Sequence, residues 1–436
     1  MSVKLAFKSK PHLRKRPVIA FFDFPDVFED FYPHYGVNQQ AFATTWADTA
    51  NHAWLALVQK EIGDVIWYVF SLNPALSEAR HKIVGCTIKF LPSSLLHRWS
   101  WRKFYSINLD WEWRHAHKLF RTYATLASYV AVISLPFIKA LWRDRPDMIF
   151  VQDYATGRFD MLLFFAGMLN IPLLAFHSGS RPEAYLGRVI KRWTIPRADW
   201  LFPSGRNELE MLVNRYRVSR NRLGIIRPPI DPEVFRPLDR TAACRSLNLD
   251  PSRRYLLFVG RLDDKVKRVS TIIQTFSHFT EKHPDVDLLI VGEGGDGVRL
   301  RCMGETKAPG RVRFLGWISS SETKVAVYNV AECLCLISWR EASPAVISEA
   351  FACGTPVLAS QVGGIEDLVK EGKTGWLVKA GDDEALRGKF EFILENPTAL
   401  DAMRRTVREV AQREVSSIAV TNALKKGFCA VGVQRD

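Results

Sequence analysis

Two glutamates stand eight residues apart in the C-terminal half of this 436-residue chain, on either side of a predicted helix start. Glu341 follows an apolar run, and Glu349 lies five residues beyond Pro344. Ser343 is a typical N-cap residue, and Pro344 is a typical first helical residue because proline has no N–H to satisfy there. The spacing therefore predicts a helix that begins at Pro344 with a carboxylate on each side of its N-terminus.

A helix start of this kind offers free backbone N–H groups and the positive end of the helix dipole, which together bind anions. Carboxylates beside such a site accept hydrogen bonds from pairs of hydroxyl groups. The segment therefore favours a ligand with hydroxyl-rich rings on both sides of a diphosphate. The alternative is a solvated Glu341 and a helix-surface Glu349 that share no ligand.

A second segment, Phe258–Arg268, supplies positive charge at the end of a predicted strand. Arg261 follows the strand, and three more cations come after it: Lys265, Lys267 and Arg268. Arginine offers a planar fork and lysine a point charge, and both neutralise phosphate oxygens. The alternative is a solvated loop in which some of these cations bind nothing.

A glycine pattern from Gly292 to Gly297 satisfies the dinucleotide fingerprint G-x-G-x-x-G after a predicted strand. It follows the second strand of its domain instead of the first, and no acidic residue closes a strand at the distance that ribose binding needs. We interpret the pattern as a tight strand-to-helix turn. A nucleotide-dependent oxidoreductase is the competing hypothesis.

Both halves of the chain show the alternation of strands and helices that would position these segments. Short apolar runs predict buried parallel strands. They are Pro17–Phe22, Asp64–Phe70, Met148–Gln152, Pro172–Phe176, Asp199–Pro203, Tyr255–Gly260, Asp287–Gly292, Val312–Gly316, Leu334–Ser338 and Pro356–Ser360. Predicted helices include Gln39–Glu61, Val269–Lys282, Ser321–Ala331 and Pro344–Cys353.

The proline-rich, charged stretch from 227 to 254 interrupts this alternation and is predicted to link two domains. We therefore expect an α/β protein with two Rossmann-like, doubly wound parallel-sheet domains facing each other across a cleft. The predicted domains are 1–238, with a C-terminal helix at 412–436 as a candidate addition to it, and 239–411. Ligands of such sheets bind at the carboxyl ends of the strands.

Positive charge is concentrated in the N-terminal half. Residues 1–240 contain 33 Lys and Arg against 21 Asp and Glu, whereas residues 241–436 contain 27 against 25. Such an excess indicates an anionic partner, such as a lipid surface or an anionic acceptor, or serves solubility alone. We do not expect nucleic acid as the partner, because no known binding motif accompanies the charge.

Tryptophan and basic residues are interleaved from His97 to Tyr123, a pattern typical of a membrane interface, an aromatic acceptor pocket or a Trp-rich domain surface. The apolar run Thr122–Ile138 is at the lower limit of membrane-spanning length and contains Pro136, so we predict a buried helix. Seven cysteines without paired spacing and an N-terminus without an apolar core predict a cytoplasmic protein with no secretory signal.

Several segments, taken in order, resemble the retaining glycosyltransferases of family 4, also called group 1 glycosyltransferases, which have the GT-B fold. The resemblance is strong over residues 255–395 and weaker through the N-terminal half. It rests on the two glutamates and on four further segments: GRL with its Lys-rich turn, LLIVGEG at Leu288–Gly294, VRFLGW at Val312–Trp317, and ACGTPVLASQVGGIEDLV at Ala352–Val369 followed by GKTGWLV.

The resemblance implies a role for each matching residue. Arg261 and Lys267 would bind the donor diphosphate, Glu341 would contact the transferred sugar, and Glu349 would bind the nucleotide ribose. His177 would lie near the sugar and the acceptor, and it would share the catalytic roles with Glu341, Arg261 and Lys267. The other implied donor-binding residues are Gly36, Gly292, Leu315, Ala342, Ser343, Pro344 and Ala345.

The chain departs from the family pattern at three of these places. Ala342 and Ser343 stand where the family usually has a glycine and a bulky apolar residue, and Gly36 stands alone where two glycines are usual. The stretch between the arginine and the lysine of the diphosphate site is one residue longer than usual, so Lys265 is an alternative phosphate ligand. The first departure bears on which sugar is transferred.

The resemblance therefore implies a retaining glycosyltransferase that needs neither a metal nor a cofactor. It would transfer a hexose from a UDP-sugar, with GDP-mannose as an open alternative, to a hydroxyl on a lipid, another membrane-linked molecule or a glycan. Peripheral contact with an anionic membrane through the N-terminal half is part of this expectation. A non-catalytic nucleotide-sugar-binding protein and a phosphorylase-type enzyme stay open as further hypotheses.

Overall fold

A computed structural model describes residues 16–46, 50–104, 126–177 and 185–432 of the chain. The chain divides into two compact units. The first comprises Met1–Pro203, Leu209–Ile226 and Thr421–Asp436, and the second comprises Ser204–Glu208 and Arg227–Val420. Within the described residues, every helix is too short or too polar to cross a lipid bilayer.

The first unit contains a seven-stranded sheet. Its strands are β1 (Val18–Phe22), β2 (Asp64–Ser71), β3 (Glu78–Arg80), β4 (Thr87–Pro92), β5 (Met148–Gln152), β6 (Leu173–Phe176) and β7 (Trp200–Phe202). They are ordered β3-β4-β2-β1-β5-β6-β7, and all neighbours are parallel except β3 and β4. In the centre, Ile19 of β1 lies opposite Val65 of β2 and Met148 of β5.

Helices cover the sheet because alternate strand side chains on each face are apolar. They are α1 (Gln39–Thr44), α2 (Ala50–Glu61), α3 (Leu95–Phe104), α4 (Leu135–Asp144), α5 (Gly157–Leu169), α6 (Tyr185–Thr194) and α7 (Arg206–Tyr216). On one face, Phe22 and Val151 pack in a core with residues of α4, α5 and α7. Ser134 and Thr156 begin α4 and α5, because each hydroxyl accepts a hydrogen bond from an N–H of the first turn.

The five strands predicted for this half are confirmed, and two further strands join the sheet. β3 has only three residues, and β4 carries Lys89 in its middle, so neither presents an apolar run. Lys89 is accommodated because its ammonium group lies 2.7 Å from the Asp144 carboxylate.

The prediction of one helix over Thr122–Ile138 is wrong, because residues 126–131 are helical and Ser134 then caps a new helix. The predicted helix Gln39–Glu61 is likewise broken after α1.

The second unit contains a six-stranded, fully parallel sheet. Its strands are β8 (Arg254–Val259), β9 (Val286–Val291), β10 (Val312–Gly316), β11 (Cys333–Leu336), β12 (Val357–Ser360) and β13 (Gly375–Val378). Their order is β10-β9-β8-β11-β12-β13. The order reverses beside β8, which is the point where doubly wound sheets bind ligands.

Ten helices follow the domain boundary in the described chain. They are α8 (Arg240–Ser246), α9 (Asp264–Lys267), α10 (Val269–Ser277), α11 (Gly297–Lys307), α12 (Ser321–Val330), α13 (Ala345–Cys353), α14 (Ile365–Leu368), α15 (Asp383–Glu395), α16 (Pro397–Glu414) and α17 (Ser417–Ala430). The end of α17 belongs to the first unit, where the ring of Phe428 lies 5.4 Å from that of Phe150. Residues 433–436 of the helix predicted at 412–436 lie outside the described residues.

The boundary between the units precedes Arg227 instead of following residue 238. The Arg227 guanidinium lies 3.2 Å from the carboxylate of Asp367 and 3.1 Å from that of Glu414, both in the second unit. The Ile230 N–H donates to the Val415 carbonyl at 2.8 Å. The proline-rich stretch is therefore attached to the second unit by buried charge pairs and a backbone bridge, and α8 begins within the predicted linker.

Candidate functional site

The carboxyl ends of six parallel strands meet at one edge of the second unit's sheet. Arg261 follows β8, Gly292 directly follows β9, and Glu341 follows β11. The register of β10 against β9 shifts at Leu315, which makes it a bulged residue at the same edge. The topology therefore brings together residues that are far apart in the sequence.

Lys267 and Glu341 are in direct contact at this edge. The Lys267 Nζ lies 2.5 Å from Glu341 Oε1, and the two side chains are only 17% and 9% exposed. The Ser338 hydroxyl donates to the same carboxylate oxygen at 2.7 Å. An ion pair that is mostly shielded from water and joined by a hydrogen bond keeps its geometry better than a surface pair does. Lys267 is thus the cation of its segment that is fixed beside the glutamate.

Two glycines after β12 support the Glu341 loop. A Cβ on Gly363 would lie 1.8 Å from the Glu341 carbonyl oxygen, and Gly363 has a φ of 59°. The Gly364 N–H donates to the Ala342 carbonyl at 2.6 Å. Only residues without a side chain allow this approach of backbone to backbone. Sequence reasoning assigned no role to these glycines, although they lie in one of the segments that carry the family resemblance.

The helix after Glu341 begins one residue later than predicted. α13 starts at Ala345, and Pro344, with a φ of −68° and a ψ of 121°, is its N-cap. The prediction that Ser343 caps this helix is wrong, because Ser343 lies outside the N-cap position. Proline has no side-chain acceptor, so Pro344 does not cap the first N–H groups of α13 with its side chain, which suits an anion site.

Glu349, on α13, is held by a residue of α12. The Tyr328 hydroxyl donates to Glu349 Oε2 at 2.5 Å. Burial raises the pKa of the Glu349 carboxyl, against the opposing effects of the Tyr328 hydrogen bond and the Lys324 charge. Burial also raises the pKa of Tyr328 well above its ordinary value, so this hydroxyl remains a donor. Different residues therefore hold the two carboxylates: Lys267 and Ser338 contact Glu341, and Tyr328 contacts Glu349.

The remaining cations of the basic segment differ in their surroundings. The Arg261 side chain is 55% exposed, and Lys265 is exposed as well. Arg268 is instead part of the framework, because its guanidinium lies 4.5 Å from the centre of the Trp339 ring and 2.5 Å from the Asp383 carboxylate. Arg261 and Lys265 are therefore the cations of the segment whose exposure suits a soluble anion.

The glycine fingerprint after β9 serves close packing between loops. A Cβ on Gly292 would lie 1.9 Å from the Gly260 carbonyl oxygen, and one on Gly294 would lie 2.5 Å from the Leu262 carbonyl oxygen. The Gly292 N–H donates to the Gly316 carbonyl at 2.8 Å. These glycines let the loops after β8, β9 and β10 touch through their backbones. Their spacing thus has a structural cause that needs no dinucleotide.

Two predicted site residues, His177 and Gly36, belong to the first unit. The His177 N–H, directly after β6, donates to the Phe202 carbonyl at 3.1 Å, and its ring centre lies 5.3 Å from that of Tyr154. Gly36 has a φ of 69°, and a Cβ there would meet nothing within 4 Å. Its conformation, and not the space around it, favours glycine.

A buried polar cluster at the carboxyl edge of the first sheet was not predicted. Asp23 directly follows β1 and accepts a hydrogen bond from the Tyr32 hydroxyl. Arg158, which is only 2% exposed, is a charge partner of Asp23 and donates to the Pro25 carbonyl. Burial raises the pKa of Asp23 to about 6, against the effects of Tyr32 and Arg158. The available signal was an aspartate directly after the apolar run PVIAFF.

The Trp- and Arg-rich stretch His97–Tyr123 is only partly described. Its first residues belong to α3, in which His97 is buried and Trp99 is exposed. Residues 105–123, which include Trp111 and Trp113, lie outside the described residues. Whether this stretch contacts a membrane or an acceptor therefore stays a prediction.

A family model described as glycosyl transferases group 1 matches residues 239–413, which contain the edge just described. The C-terminal half of this chain is a group 1 glycosyltransferase domain. The D-inositol 3-phosphate glycosyltransferase of Mycobacterium sp. (strain KMS) is 34% identical to the chain over 243 residues, which cover 54% of each protein. The chain thus spans about half the length of the curated relatives it matches. The family resemblance seen in the sequence is confirmed.

Solved structures share the fold over nearly the whole chain. Sucrose-phosphate synthase from Thermosynechococcus elongatus has a TM-score of 0.68 at 20% identity, covering 95% of this chain and 98% of that one. Anabaena HepE in complex with UDP has a TM-score of 0.67 at 13% identity, covering 94% and 99%. These likenesses confirm the GT-B fold that was expected around the group 1 glycosyltransferase domain.

Proposed function

We propose that this chain transfers a hexose from a nucleoside-diphosphate sugar to an acceptor hydroxyl. The observation that carries the proposal is the contact of Lys267 with Glu341 at the carboxyl edge of a group 1 glycosyltransferase domain. A cation and a carboxylate held together suit the two parts of such a donor. Phosphate oxygens accept hydrogen bonds from the cation, and sugar hydroxyls donate them to the carboxylate.

The chemical difficulty of this reaction is the departure of a nucleoside diphosphate with its negative charge. The bond from the anomeric carbon to the diphosphate oxygen breaks, the bond to the acceptor oxygen forms, and the acceptor proton passes to the leaving phosphate. Arg261, Lys267 and the N–H groups that begin α13 would stabilise the charge on that phosphate. Because these groups take the place of a metal, we propose metal-independent transfer by attack on the same face, with retention of configuration.

The two glutamates would bind donor hydroxyls instead of acting as nucleophiles. Glu341 is assigned to the transferred sugar and Glu349 to the ribose. Ser338 and Tyr328 each hold one of these carboxylates by a hydrogen bond, which orients it before the donor arrives. The further residues proposed to contact donor or acceptor are Gly36, His177, Gly292, Leu315, Ala342, Ser343, Pro344 and Ala345.

UDP is the proposed nucleotide. The support is that Anabaena HepE, whose fold this chain shares, has been solved in complex with UDP. GDP-mannose stays the alternative donor. The relatives named for D-inositol 3-phosphate match over about half of their length, so we do not extend their acceptor to this chain. We propose instead a hydroxyl on a lipid-linked molecule or a glycan, with peripheral membrane contact through the positively charged N-terminal half.

The test measures release of UDP from a panel of UDP-hexoses by the full chain and by two variants. Arg261→Ala is expected to lower kcat/KM at least ~100-fold, because it removes a group that stabilises the leaving phosphate. Glu349→Ala is expected to weaken UDP binding about tenfold, because it removes a charged acceptor for ribose hydroxyls. Arg405→Ala, at a 90% exposed position on α16, is the matched control and should behave like the unmodified chain.

Each outcome of this test has a definite reading. Unchanged turnover in both site variants would overturn the proposal. UDP binding without transfer or donor hydrolysis would support the non-catalytic alternative, and sugar release that requires inorganic phosphate would support a phosphorylase. Activity that disappears on chelation and returns with a divalent cation would contradict metal independence.

A further inference from the structure

The outer surface of the first unit displays large apolar side chains on three helices. We call this the outer apolar surface. Its members are Leu135, Ile138 and Trp142 on α4, Phe164 and Met168 on α5, and Val189 and Trp193 on α6. Leu135 is 72% exposed, and both tryptophans are at least 59% exposed. Soluble monomers rarely leave a contiguous set of such side chains in water, so the surface needs an explanation.

The spacing of these residues shows that their exposure is a regular feature of the helices. On α4, Leu135, Ile138 and Trp142 follow each other at helical spacing on the outer side, while Phe137 and Leu141 are buried in the core. On α5, Phe164 and Met168 are four residues apart, as are Val189 and Trp193 on α6. α4 and α5 are therefore apolar on the outer side as well as on the side that packs in the core, whereas α6 buries Lys191 and turns Val189 and Trp193 outward.

The three helices are neighbours on one face of the first sheet. The ring of Phe137 on α4 lies 5.7 Å from that of Phe165 on α5. Lys191 on α6 lies 2.8 Å from the Asp160 carboxylate on α5. These contacts place α4 beside α5 and α5 beside α6, so the exposed apolar residues lie on adjacent helices.

The exposed charged side chains described on these three helices are cationic. Lys139, Arg143 and Arg192 are exposed on α4 and α6. The three helices contain two carboxylates, Asp144 and Asp160, and both are buried. Lys89, Tyr68 and Arg143 engage the first, while Lys191 and Tyr129 engage the second. Arg143 is still 67% exposed in its pair. The exposed part of these helices is thus apolar and cationic.

We propose that the outer apolar surface docks on an anionic lipid bilayer. Tryptophans and aliphatic side chains would enter the headgroup region, where an apolar body and a polar edge are both accommodated. The lysine and arginines around them would lie against lipid phosphates. This inference names the surface behind the membrane contact in the proposed function, and its test needs no sugar donor.

The test is co-sedimentation of the full chain with vesicles of phosphatidylcholine alone or with about a third phosphatidylglycerol. We expect binding to the anionic vesicles that weakens in about 1 M salt, where charges are screened beyond ~3 Å. A double variant, Trp142→Ser with Trp193→Ser, should bind at least about tenfold more weakly because it loses its interfacial anchors. Trp317→Ser is the matched control, since Trp317 is 58% exposed in the second unit.

A second double variant, Lys139→Glu with Arg192→Glu, keeps the apolar side chains and reverses two charges. It should lose binding to anionic vesicles at low salt, and a circular dichroism spectrum like that of the unmodified chain shows that it folds. The proposal is overturned if the full chain binds neither vesicle type, or if both double variants bind as the Trp317→Ser control does.

Two other results would assign the surface differently and so overturn the proposal. Self-association in sedimentation velocity without lipid, lost in the tryptophan variant, would make it an interface between copies of this chain. Equal binding to neutral and anionic vesicles would remove the role of the cations. A UDP thermal shift on the same samples reports separately on the proposed enzymatic function, so the two can fail independently.

Discussion

The carboxyl edges of the two parallel sheets are built in different ways. In the second unit, backbone meets backbone at glycines, with Gly292 against Gly260 and Gly363 against Glu341. In the first unit, buried polar side chains fill the edge, and Asp23 is the most strongly perturbed carboxyl among them. The carboxyl edge in the second unit thus depends on the absence of side-chain atoms at its glycines. The carboxyl edge in the first unit depends on groups that can titrate.

This difference teaches what each edge tolerates. Close approach of backbones does not change with pH, but a single added methyl group destroys it. Replacing a buried carboxyl by an amide preserves the shape of the side chain. The contribution of the carboxyl to the free energy of unfolding changes with pH, whereas that of the amide does not. The second edge should therefore be sensitive to small substitutions, and the first to protonation. Three predictions test this contrast.

The largest effect is expected from Gly363→Ala. The new Cβ would lie 1.8 Å from the Glu341 carbonyl oxygen at a φ of 59°, so strain and a forced backbone shift add together. We expect a loss of roughly 3–5 kcal/mol in the free energy of unfolding, measured by urea denaturation. Donor turnover should fall as well, because the Glu341 loop moves.

Gly372→Ala is the matched control for this substitution. Gly372 has a φ of 69° in the same unit, but a Cβ there meets nothing within 4 Å. It should cost only about 1–2 kcal/mol, from backbone strain alone. Equal losses in the two variants would show that the contact with Glu341 is not what the second edge depends on.

Asp23→Asn should remove a pH-dependent change of up to about 3 kcal/mol in the free energy of unfolding. The pKa of Asp23 is about 6 in the folded protein against an ordinary 3.8, so the folded form holds the proton more tightly. Its contribution to stability is complete below pH 3.8 and is lost as the pH rises through about 6. The thermal midpoint of the unmodified chain should therefore fall more between pH 4 and 7 than that of the variant.

Asp287→Asn in the second unit should show the opposite sign. Burial raises the pKa of Asp287, but hydrogen bonds from Arg253 and Arg311 outweigh it and bring this pKa below its ordinary value of 3.8. Its contribution is thus present at neutral pH and is lost as the pH falls below that value. The stability difference between this variant and the unmodified chain should therefore shrink in acid. If Asp23→Asn and the unmodified chain show the same slope from pH 4 to 7, the titration of the first edge is refuted.

The smallest effect is expected from Tyr328→Phe, which sharpens the contrast because Glu349 is a buried carboxyl within the second edge. Losing the 2.5 Å hydrogen bond to Glu349 should weaken UDP binding about tenfold, equivalent to ~1.4 kcal/mol, in calorimetry. Tyr255→Phe, which removes a hydroxyl that donates to the Asp250 carbonyl, controls for the loss of any buried phenol. The same UDP affinity in both variants would argue against a role for Tyr328 in holding Glu349.

Local patterns in the sequence were enough to predict the two parallel sheets, because a strand buried on both faces must be apolar along its length. Three strands escaped prediction. Two of them break this rule, since β3 is short and polar and β4 contains Lys89, whereas β13 is apolar but has only four residues. The prediction of a cap at Ser343 was wrong for a related reason, and residues from Arg227 to Val420 group with the second unit. A preference for caps or linkers is weak, and tertiary contacts such as those of Arg227 override it.

The sequence by itself determined the class of protein, because the segments that carry Arg261, Glu341 and Glu349 have the residue types and order of the group 1 glycosyltransferases. Only the tertiary structure decided which groups meet. That Lys267 contacts Glu341, that Gly363 supports the loop beneath it, and that helices of the first unit turn Trp142 and Trp193 outward all depend on neighbours far away in the chain. Spacing along a sequence sets what each side chain is able to do, but the partner it meets is set by packing.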